Sequence, residues 1–178
     1  GELKTISAVD VIGLNPFLQG RVLWCGLYLN ELAMRLLPAW DASPRLFAYY
    51  QLAVSGLNDS STQQVVLRVF EKRLLEELGF AVSYQQTADN HSQILCGKHY
   101  VFDPASGFSE VGSGSGHFHS PAPGQQYAGE VLLAIDRDDF SAVEVQRSAK
   151  QLMRQSLEPL LGGKELQSRE LFKRLLKP

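Results

Sequence analysis

The apolar pattern is strongest over residues 61–80, where it predicts a helix with neighbours on two sides. At about 100° per residue, six apolar side chains share one broad arc, which predicts the core face. These are Val66, Leu67, Phe70, Leu74, Leu75 and Leu78. Val65 and Val69 lie opposite, with Arg68 and Lys72 between them and the core arc. Either other helices cover this second side, or it forms a groove with a cation at its lip, suited to an acidic peptide with a hydrophobic end.

Capping signals mark the ends of this helix. Ser61 followed by Gln64 is a capping-box pattern. Gly79 before the apolar Phe80 indicates a left-handed C-terminal cap. Ser168 is the predicted N-cap of a last short helix near the end of the chain.

Five further helices are predicted from start signals, stop signals and periodicity. Asn15-Pro16 opens a helix that runs to about Leu37, and Ser43-Pro44 opens one that runs to Gly56. The later helices cover about 125–136, 141–161 and 169–176. Helices joined by short connections pack as antiparallel neighbours.

Residues 81–124 differ from their surroundings and predict an irregular insertion. Short alternating or β-branched stretches at 81–84, 92–95 and 99–103 predict strands. The Gly, Ser, Pro and His residues of 107–124 predict a surface loop. The predicted fold class is therefore mainly α: a helical domain with a weakly β central insertion.

Length and composition limit the function classes. The 178 residues suit one domain, and an apolar content of 44% is enough for a core. No apolar run is long enough to predict a membrane span, so no membrane partner is expected. Two cysteines are too few for a disulfide scaffold, which favours a reduced, cytoplasmic setting.

Charge is distributed unevenly along the chain. The net charge of −2 argues against a strong nucleic-acid binder. Residues 147–178, however, hold eight basic against three acidic residues. Arg147, Lys150 and Arg154 share one helix face by their spacing, and such a stripe suits a phosphate backbone. The alternative is a solvated basic face. The predicted DNA-binding residues are Arg147, Lys150, Arg154, Lys164, Arg169, Lys173 and Arg174.

Catalytic chemistry has little support in the sequence. Potential zinc ligands of the insertion are His91, Cys96, His99, His117 and His119. They include no Cys-x-x-Cys pair, and no carboxylate is placed to orient the last two histidines. Cys25 lies in an apolar helix with no identifiable partner histidine, and no phosphate-binding loop is present. We therefore predict no catalytic residue, no metal and no cofactor.

Three stretches of the chain together resemble the bacterial RecO family, the recombination mediators of the RecFOR repair pathway. They are Gly26-Leu-Tyr-Leu-Asn-Glu-Leu32, residues 67–80 from Leu-Arg-Val-Phe-Glu to Leu-Gly-Phe, and residues 157–172 around Leu-Gly-Gly-Lys-Glu-Leu-Gln-Ser-Arg-Glu-Leu-Phe. The resemblance implies a C-terminal helical domain over residues 13–178. It also implies that residues 1–12 are the remnant of an N-terminal OB-fold, with Glu2–Ile6 as its last strand.

The resemblance implies a protein that acts by binding. RecO-like proteins bind single- and double-stranded DNA, anneal complementary strands, join RecR, and help to load RecA. They also bind the acidic C-terminal tail of the single-stranded-DNA-binding protein (SSB). Such a protein is expected to be cytoplasmic and associated with the nucleoid.

The resemblance also implies a site for the SSB tail. Arg68 matches the arginine associated with that site, and we expect Leu67, Val65, Val69 and Lys72 around it. A guanidinium can hold a carboxylate of the tail while its last Phe enters an apolar pocket. On this basis Arg68→Ala is expected to weaken tail binding by roughly 1–3 kcal/mol without unfolding the domain.

Two departures from the family pattern affect these expectations. Many RecO proteins carry a four-cysteine zinc site in the insertion, where this chain has only Cys96, so the zinc is expected to be lost. Strong DNA affinity is in doubt because most of the OB barrel is missing. Two alternatives remain: a helical scaffold that binds only proteins, and a small metal-dependent hydrolase that uses the histidines.

Overall fold

The computed structural model describes residues 7–8, 17–39, 41–112 and 126–175. Its described part contains six helices and three strands. The helices are α1 (Gly20–Leu36), α2 (Pro44–Gly56), α3 (Gln63–Glu77), α4 (Gly129–Asp136), α5 (Val143–Leu160) and α6 (Gln167–Leu175). The strands are β1 (His99–Asp103), β2 (Gly107–Glu110) and β3 (Gln126–Ala128). The predicted mainly α fold class is confirmed.

Helix α3 is the central helix of the domain, packing against α1, α2 and α5. Its predicted core face is buried at Phe70, Leu74 and Leu75, which expose 2% or less of their surface. Arg68 and Lys72 are also buried, at 5% and 6% exposure. Neighbouring elements therefore cover this side of α3 at Lys72, whereas Arg68 borders a cavity between helices.

The two ends of α3 differ in how well the sequence predicts them. Gly79 has a φ of 80°, and the Phe80 amide donates to the Leu75 carbonyl at 2.8 Å, so the left-handed cap is confirmed. The capping box is not formed. Instead, Asp59 accepts hydrogen bonds from the amide and hydroxyl of Ser61, and this aspartate organises the turn before the helix.

The other helix predictions hold with shifted ends. Helix α2 begins at Pro44 and ends at Gly56 as expected. Helix α1 begins at Gly20, and residues 17–19 before it are not helical. The start signal Asn15-Pro16 lies outside the described residues. Helix α5 ends at Leu160, followed by two glycines with positive φ.

The insertion is more ordered than the sequence indicates. Strand β1 is confirmed, but β2 forms where a loop was expected and β3 where a helix was expected. Residues 81–84 form no strand, and 92–95 contribute only the isolated bridge Gln86–Gln93. His117, His119 and the strand expected at Glu2–Ile6 lie outside the described residues.

The three strands form an antiparallel sheet in the order β2-β1-β3, and aromatic residues attach it to the core. Tyr100 pairs with Tyr127 across β1 and β3, and both are buried, as is Phe108 on β2. Helix α4 follows β3 directly at Gly129. A Cβ at this position would lie 1.9 Å from the Leu95 carbonyl oxygen, so only glycine permits this close approach.

A cationic cavity between four helices

A cavity of about 490 Å³ lies between α1, α3, α5 and α6. Its charged lining contains seven cations and two carboxylates, Glu158 and Glu165. The cations are Arg21, Arg68, Lys150, Arg154, Lys164, Arg169 and Lys173. Because the cations outnumber the carboxylates, the potential inside the cavity is positive, so the cavity attracts anions.

The cavity brings together residues that the sequence assigned to two separate sites. Arg68 and Leu67, expected at the SSB-tail site, line it together with five of the seven predicted DNA-binding cations: Lys150, Arg154, Lys164, Arg169 and Lys173. Arg147 does not line it, although it lies one turn before Lys150 on α5. Arg174 does not line it either and pairs with Glu170 at 3.5 Å.

Arg68 lies in a buried network on the inner side of the cavity. Its Nη1 is 2.7 Å from Oε2 of Glu71, which is fully buried. The Tyr28 hydroxyl donates to the other carboxylate oxygen at 2.5 Å. Burial raises the pKa of Glu71, against the opposing effect of the Arg68 charge. The buried Nε of Arg68 has no acceptor within the described protein.

Arg169 extends this network from α6. Its guanidinium lies 5.2 Å from the Tyr28 ring centroid, and Nη2 donates to the Tyr28 hydroxyl at 3.2 Å. Burial, followed by the charge of Glu71, raises the pKa of Tyr28, so the phenol stays protonated. Tyr28 thus accepts from Arg169 and donates to Glu71, which links α6, α1 and α3.

Apolar side chains complete the lining. Trp24, Leu67, Leu166 and Phe172 contribute to the cavity wall. The Arg21 guanidinium lies 5.6 Å from the ring centroid of Phe172, a cation–π contact that helps to fix the position of the ring. The arrangement suits a ligand that carries both negative charge and an aromatic or aliphatic group.

Helix α6 is fastened to α1 by a carboxylate. Glu31 accepts hydrogen bonds from the amides of Gln167 and Ser168 and from the Ser168 hydroxyl, at 2.7–2.9 Å. Arg35, one turn along α1, donates to three carbonyl groups of the segment between α5 and α6. Ser168 is therefore not the N-cap expected from the sequence. The cap is supplied by Glu31 from another helix.

Three residues expected near Arg68 face elsewhere. The Lys72 ammonium donates to the carbonyls of Ile135 and Asp136 and to the carboxylate of Asp138, at 2.7–2.9 Å. It caps the C-terminal end of α4, where a cation is favoured. Val65 and Val69 are half-buried and do not line the cavity.

Several cavity residues were missed by the sequence analysis, although their spacing offers a signal. Arg21, Trp24 and Tyr28 lie at i, i+3 and i+7 on α1 and so share one face. Glu71 is three residues after Arg68, the spacing of a helical ion pair. Their role depends on which helices meet there, which the periodicity does not specify.

Metal-ligating side chains are not clustered in the described residues, and one thiol lines the cavity. No group of three or more His, Cys, Asp or Glu side chains is placed to hold a metal ion in that part of the chain. Cys25 lines the cavity, and burial raises the pKa of its thiol. Across the same residues, no helix has the length and apolar content needed to cross a membrane.

Comparison with known proteins gives consistent matches over nearly the whole chain. The family model described as "Recombination protein O C terminal" matches residues 19–170. A DNA repair protein RecO of Pseudomonas putida is 39% identical over 174 residues, covering 98% of this chain and 73% of the relative. The RecO of Pseudomonas aeruginosa is 40% identical over 175 residues, covering 97% and 70%. That of Cellvibrio japonicus is 39% identical over 171 residues, covering 96% and 70%.

Proposed function

This chain belongs to the RecO family of DNA repair proteins, and from that premise we propose that it mediates DNA repair and homologous recombination by binding. Its proposed partners are the C-terminal tail of SSB, RecR, single- and double-stranded DNA and, indirectly, RecA. In this role it assists strand annealing and RecA loading.

The cavity around Arg68 is the observation that carries the proposal. Arg68 combines a place in the cavity lining with a fixed position against Glu71. An acidic tail that ends in Phe offers a terminal carboxylate for Arg68 and a ring for the wall around Leu67 and Phe172. In this proposal the tail does not contact Lys72, Val65 or Val69. These residues stabilise the position of α3 instead.

The proposed DNA contacts are the cations of α5 and α6. Lys150 and Arg154 are exposed and one turn apart on α5, facing the same cavity as Lys164, Arg169 and Lys173. Phosphate contacts of this kind make affinity fall steeply as salt rises. Arg147 and Arg174 extend the cationic surface beyond the cavity.

The test is a titration of a fluorescent SSB C-terminal peptide into the chain and a variant that removes the cation without stranding its partner. Arg68→Met/Glu71→Gln replaces a buried ion pair by neutral groups of similar size, which keeps stability near that of wild type. The amide introduced at position 71 can still accept the hydrogen bond from Tyr28. Binding to the wild type and a loss of about 1–3 kcal/mol in the variant are expected.

The matched control is Lys98→Ala/Arg137→Ala, which removes two exposed cations that do not line the cavity. It is expected to bind the peptide as the wild type does. No binding by a folded wild-type chain, or an equal loss in the control, would reject the proposed site.

A protein-only scaffold remains the second candidate, since two basic residues of α6 are already paired. Lys173 lies 3.7 Å from Glu165, and Arg174 lies 3.5 Å from Glu170. A salt-sensitive DNA interaction that weakens in Lys173→Ala/Arg174→Ala supports DNA binding. Absence of measurable DNA affinity supports the scaffold, whereas DNA affinity that salt and this variant leave unchanged rejects these cations as the DNA contacts.

A further inference from the structure

We propose that an acidic peptide and a nucleic-acid phosphate backbone occupy the same cavity and therefore exclude one another. This inference rests on the proposed function, since it requires that both ligands bind. It adds that the chain exchanges one ligand for the other instead of holding both. The observation behind it is the single cavity that Arg68 shares with Lys150, Arg154 and Arg169.

The contacts available to the two ligands overlap. Lys150 and Arg154 point their exposed ends to the cavity from α5, and Arg169 borders it from α6. A carboxylate-rich peptide that reaches Arg68 passes between these cations. A phosphate backbone that pairs with Lys150 and Arg154 crosses the same opening, so each ligand takes cations that the other requires.

Space and charge both oppose simultaneous binding. A volume of about 490 Å³ lies at the lower end of the range for one drug-sized ligand. It has room for the end of one peptide or one nucleotide. The two ligands are also both anions, and like charges brought within a few ångströms in a partly desolvated site repel strongly. Neither ligand can therefore remain when the other is seated.

The apolar side chains of the cavity lining make the affinities of the two ligands differ in their salt dependence. The rings of Trp24 and Phe172 line the cavity, where they can contact the terminal ring of a peptide or an unstacked base. A peptide gains much of its affinity from this wall, whereas a phosphate backbone depends on counterion release. Rising salt should therefore favour the peptide in the exchange.

Arg147 and Arg174 lie outside the cavity and separate the two modes of binding. Both are exposed, on the same helices as Lys150 and Lys173. A DNA strand extends along α5 and α6 past the cavity and reaches them. A short peptide seated on Arg68 does not. Shared contacts and DNA-only contacts can thus be removed independently.

The experiment is a competition assay with the full chain, a fluorescent SSB C-terminal peptide and unlabelled oligo(dT). Peptide and DNA affinities are first measured separately, and the peptide titration is then repeated with the oligonucleotide present. Simple exclusion scales the apparent Kd by one plus the ratio of competitor to its own Kd. The oligonucleotide at about ten times its own Kd therefore raises the peptide's apparent Kd about tenfold.

Three double variants test which cations the two ligands share. Lys150→Ala/Arg154→Ala is expected to weaken both ligands and to lower the DNA salt slope by about one for each lost phosphate contact. Arg147→Ala/Arg174→Ala is expected to weaken DNA alone. Lys98→Ala/Arg137→Ala changes neither. Repeating the assay at about 0.15 M salt, where repulsion across more than about 8 Å is screened, tests direct overlap.

Three kinds of result overturn the proposal and are distinguishable. If both ligands bind but the peptide's apparent Kd reaches a plateau, or its anisotropy rises on DNA addition, a ternary complex forms and only the exclusion fails. If the wild-type chain binds no peptide, the exclusion fails together with the proposed function. If it binds peptide but no DNA, the exclusion fails and the protein-only scaffold stands.

Discussion

At the scale of single residues, Arg68 and Glu71 form a buried pair, so a substitution of Arg68 affects both stability and binding at the cavity. Removing one member of a buried ion pair leaves the other desolvated and unpaired, which costs more than the pair itself contributes. The sequence treated Arg68 as a removable surface contact. With its guanidinium 2.7 Å from a fully buried carboxylate, a stability loss has to be separated from a binding loss.

For Arg68→Ala we expect the free energy of unfolding to fall by about 3 kcal/mol at neutral pH. The pKa of Glu71 is already raised by burial, and loss of Arg68 raises it further. An acid whose pKa is raised by folding favours the folded state most below its unfolded pKa, near 4.5, and loses that contribution as pH rises through the folded pKa. The deficit relative to wild type should therefore shrink in acid.

Urea unfolding at neutral pH and below pH 4.5 measures this deficit. Glu71→Gln added to Arg68→Ala should restore much of the stability at neutral pH, because no unpaired charge is left. An equal deficit at both pH values and no rescue would show that the pair has no electrostatic role in folding.

For Lys72 we expect a substitution to change stability and to leave tail binding unchanged. Its ammonium satisfies two carbonyls at the end of α4 and the Asp138 carboxylate, and it does not line the cavity. Lys72→Met should lower the free energy of unfolding by about 2 kcal/mol, with unchanged tail affinity once the protein is folded. Thermal unfolding and peptide titration measure the two effects. Lost affinity at unchanged stability would return Lys72 to the binding site.

Among elements, docking of α6 depends on a residue of α1 rather than on its own cap. Periodicity and stop signals were sufficient to predict α2, α3 and the end of α5, because those signals are local. They could not reveal that Glu31 caps α6, since its partners are more than 130 residues away. Strands β2 and β3 were missed for a similar reason, because both are defined by pairing to β1.

The Glu31 cap predicts acid-sensitive docking of α6. Burial acts to raise the pKa of Glu31, but hydrogen bonds from the Ser168 hydroxyl and the amides of Ser168 and Gln167 lower it overall. A carboxyl whose pKa is lowered by folding contributes stability above its ordinary value near 4.5, and this is lost as pH falls through the lowered pKa.

Hydrogen exchange of the α6 amides at a series of pH values tests this expectation. With exchange corrected for its intrinsic pH dependence, α6 in the wild type should open more readily as pH falls through that range. Glu31→Gln should lower the free energy of opening of α6 by about 1 kcal/mol at neutral pH. In this variant the free energy of opening should no longer change as pH falls. Asp59→Asn, which changes a carboxylate in the turn before α3, is the control. Identical α6 protection in wild type and Glu31→Gln would refute the role of this cap.

For the whole molecule, the sequence identified most of the charges of the cavity but not the cavity. Arg68, Lys150, Arg154 and Arg169 were recognised as cations on helix faces, and the resemblance gave Arg68 its expected role. Helices α3 and α5 place these residues around one cavity, and α6 closes it. This arrangement depends on helix packing between residues that are far apart in the sequence. Trp24 and Tyr28 of α1 were not singled out, because aromatic residues at helical spacing fit a core face and a cavity wall equally well.

The central claim is that the acidic tail enters this cavity, and the most direct measurement is the alkylation rate of Cys25. Cys25 lines the cavity, whereas Cys96 is exposed and does not, so Cys96 serves as an internal reference. Both rates are measured by mass spectrometry at alkaline pH, where the half-buried Cys25 thiol ionises, with and without saturating SSB C-terminal peptide. We predict that the peptide slows alkylation of Cys25 and leaves Cys96 unchanged. Unchanged alkylation of Cys25 under saturating peptide would contradict the account.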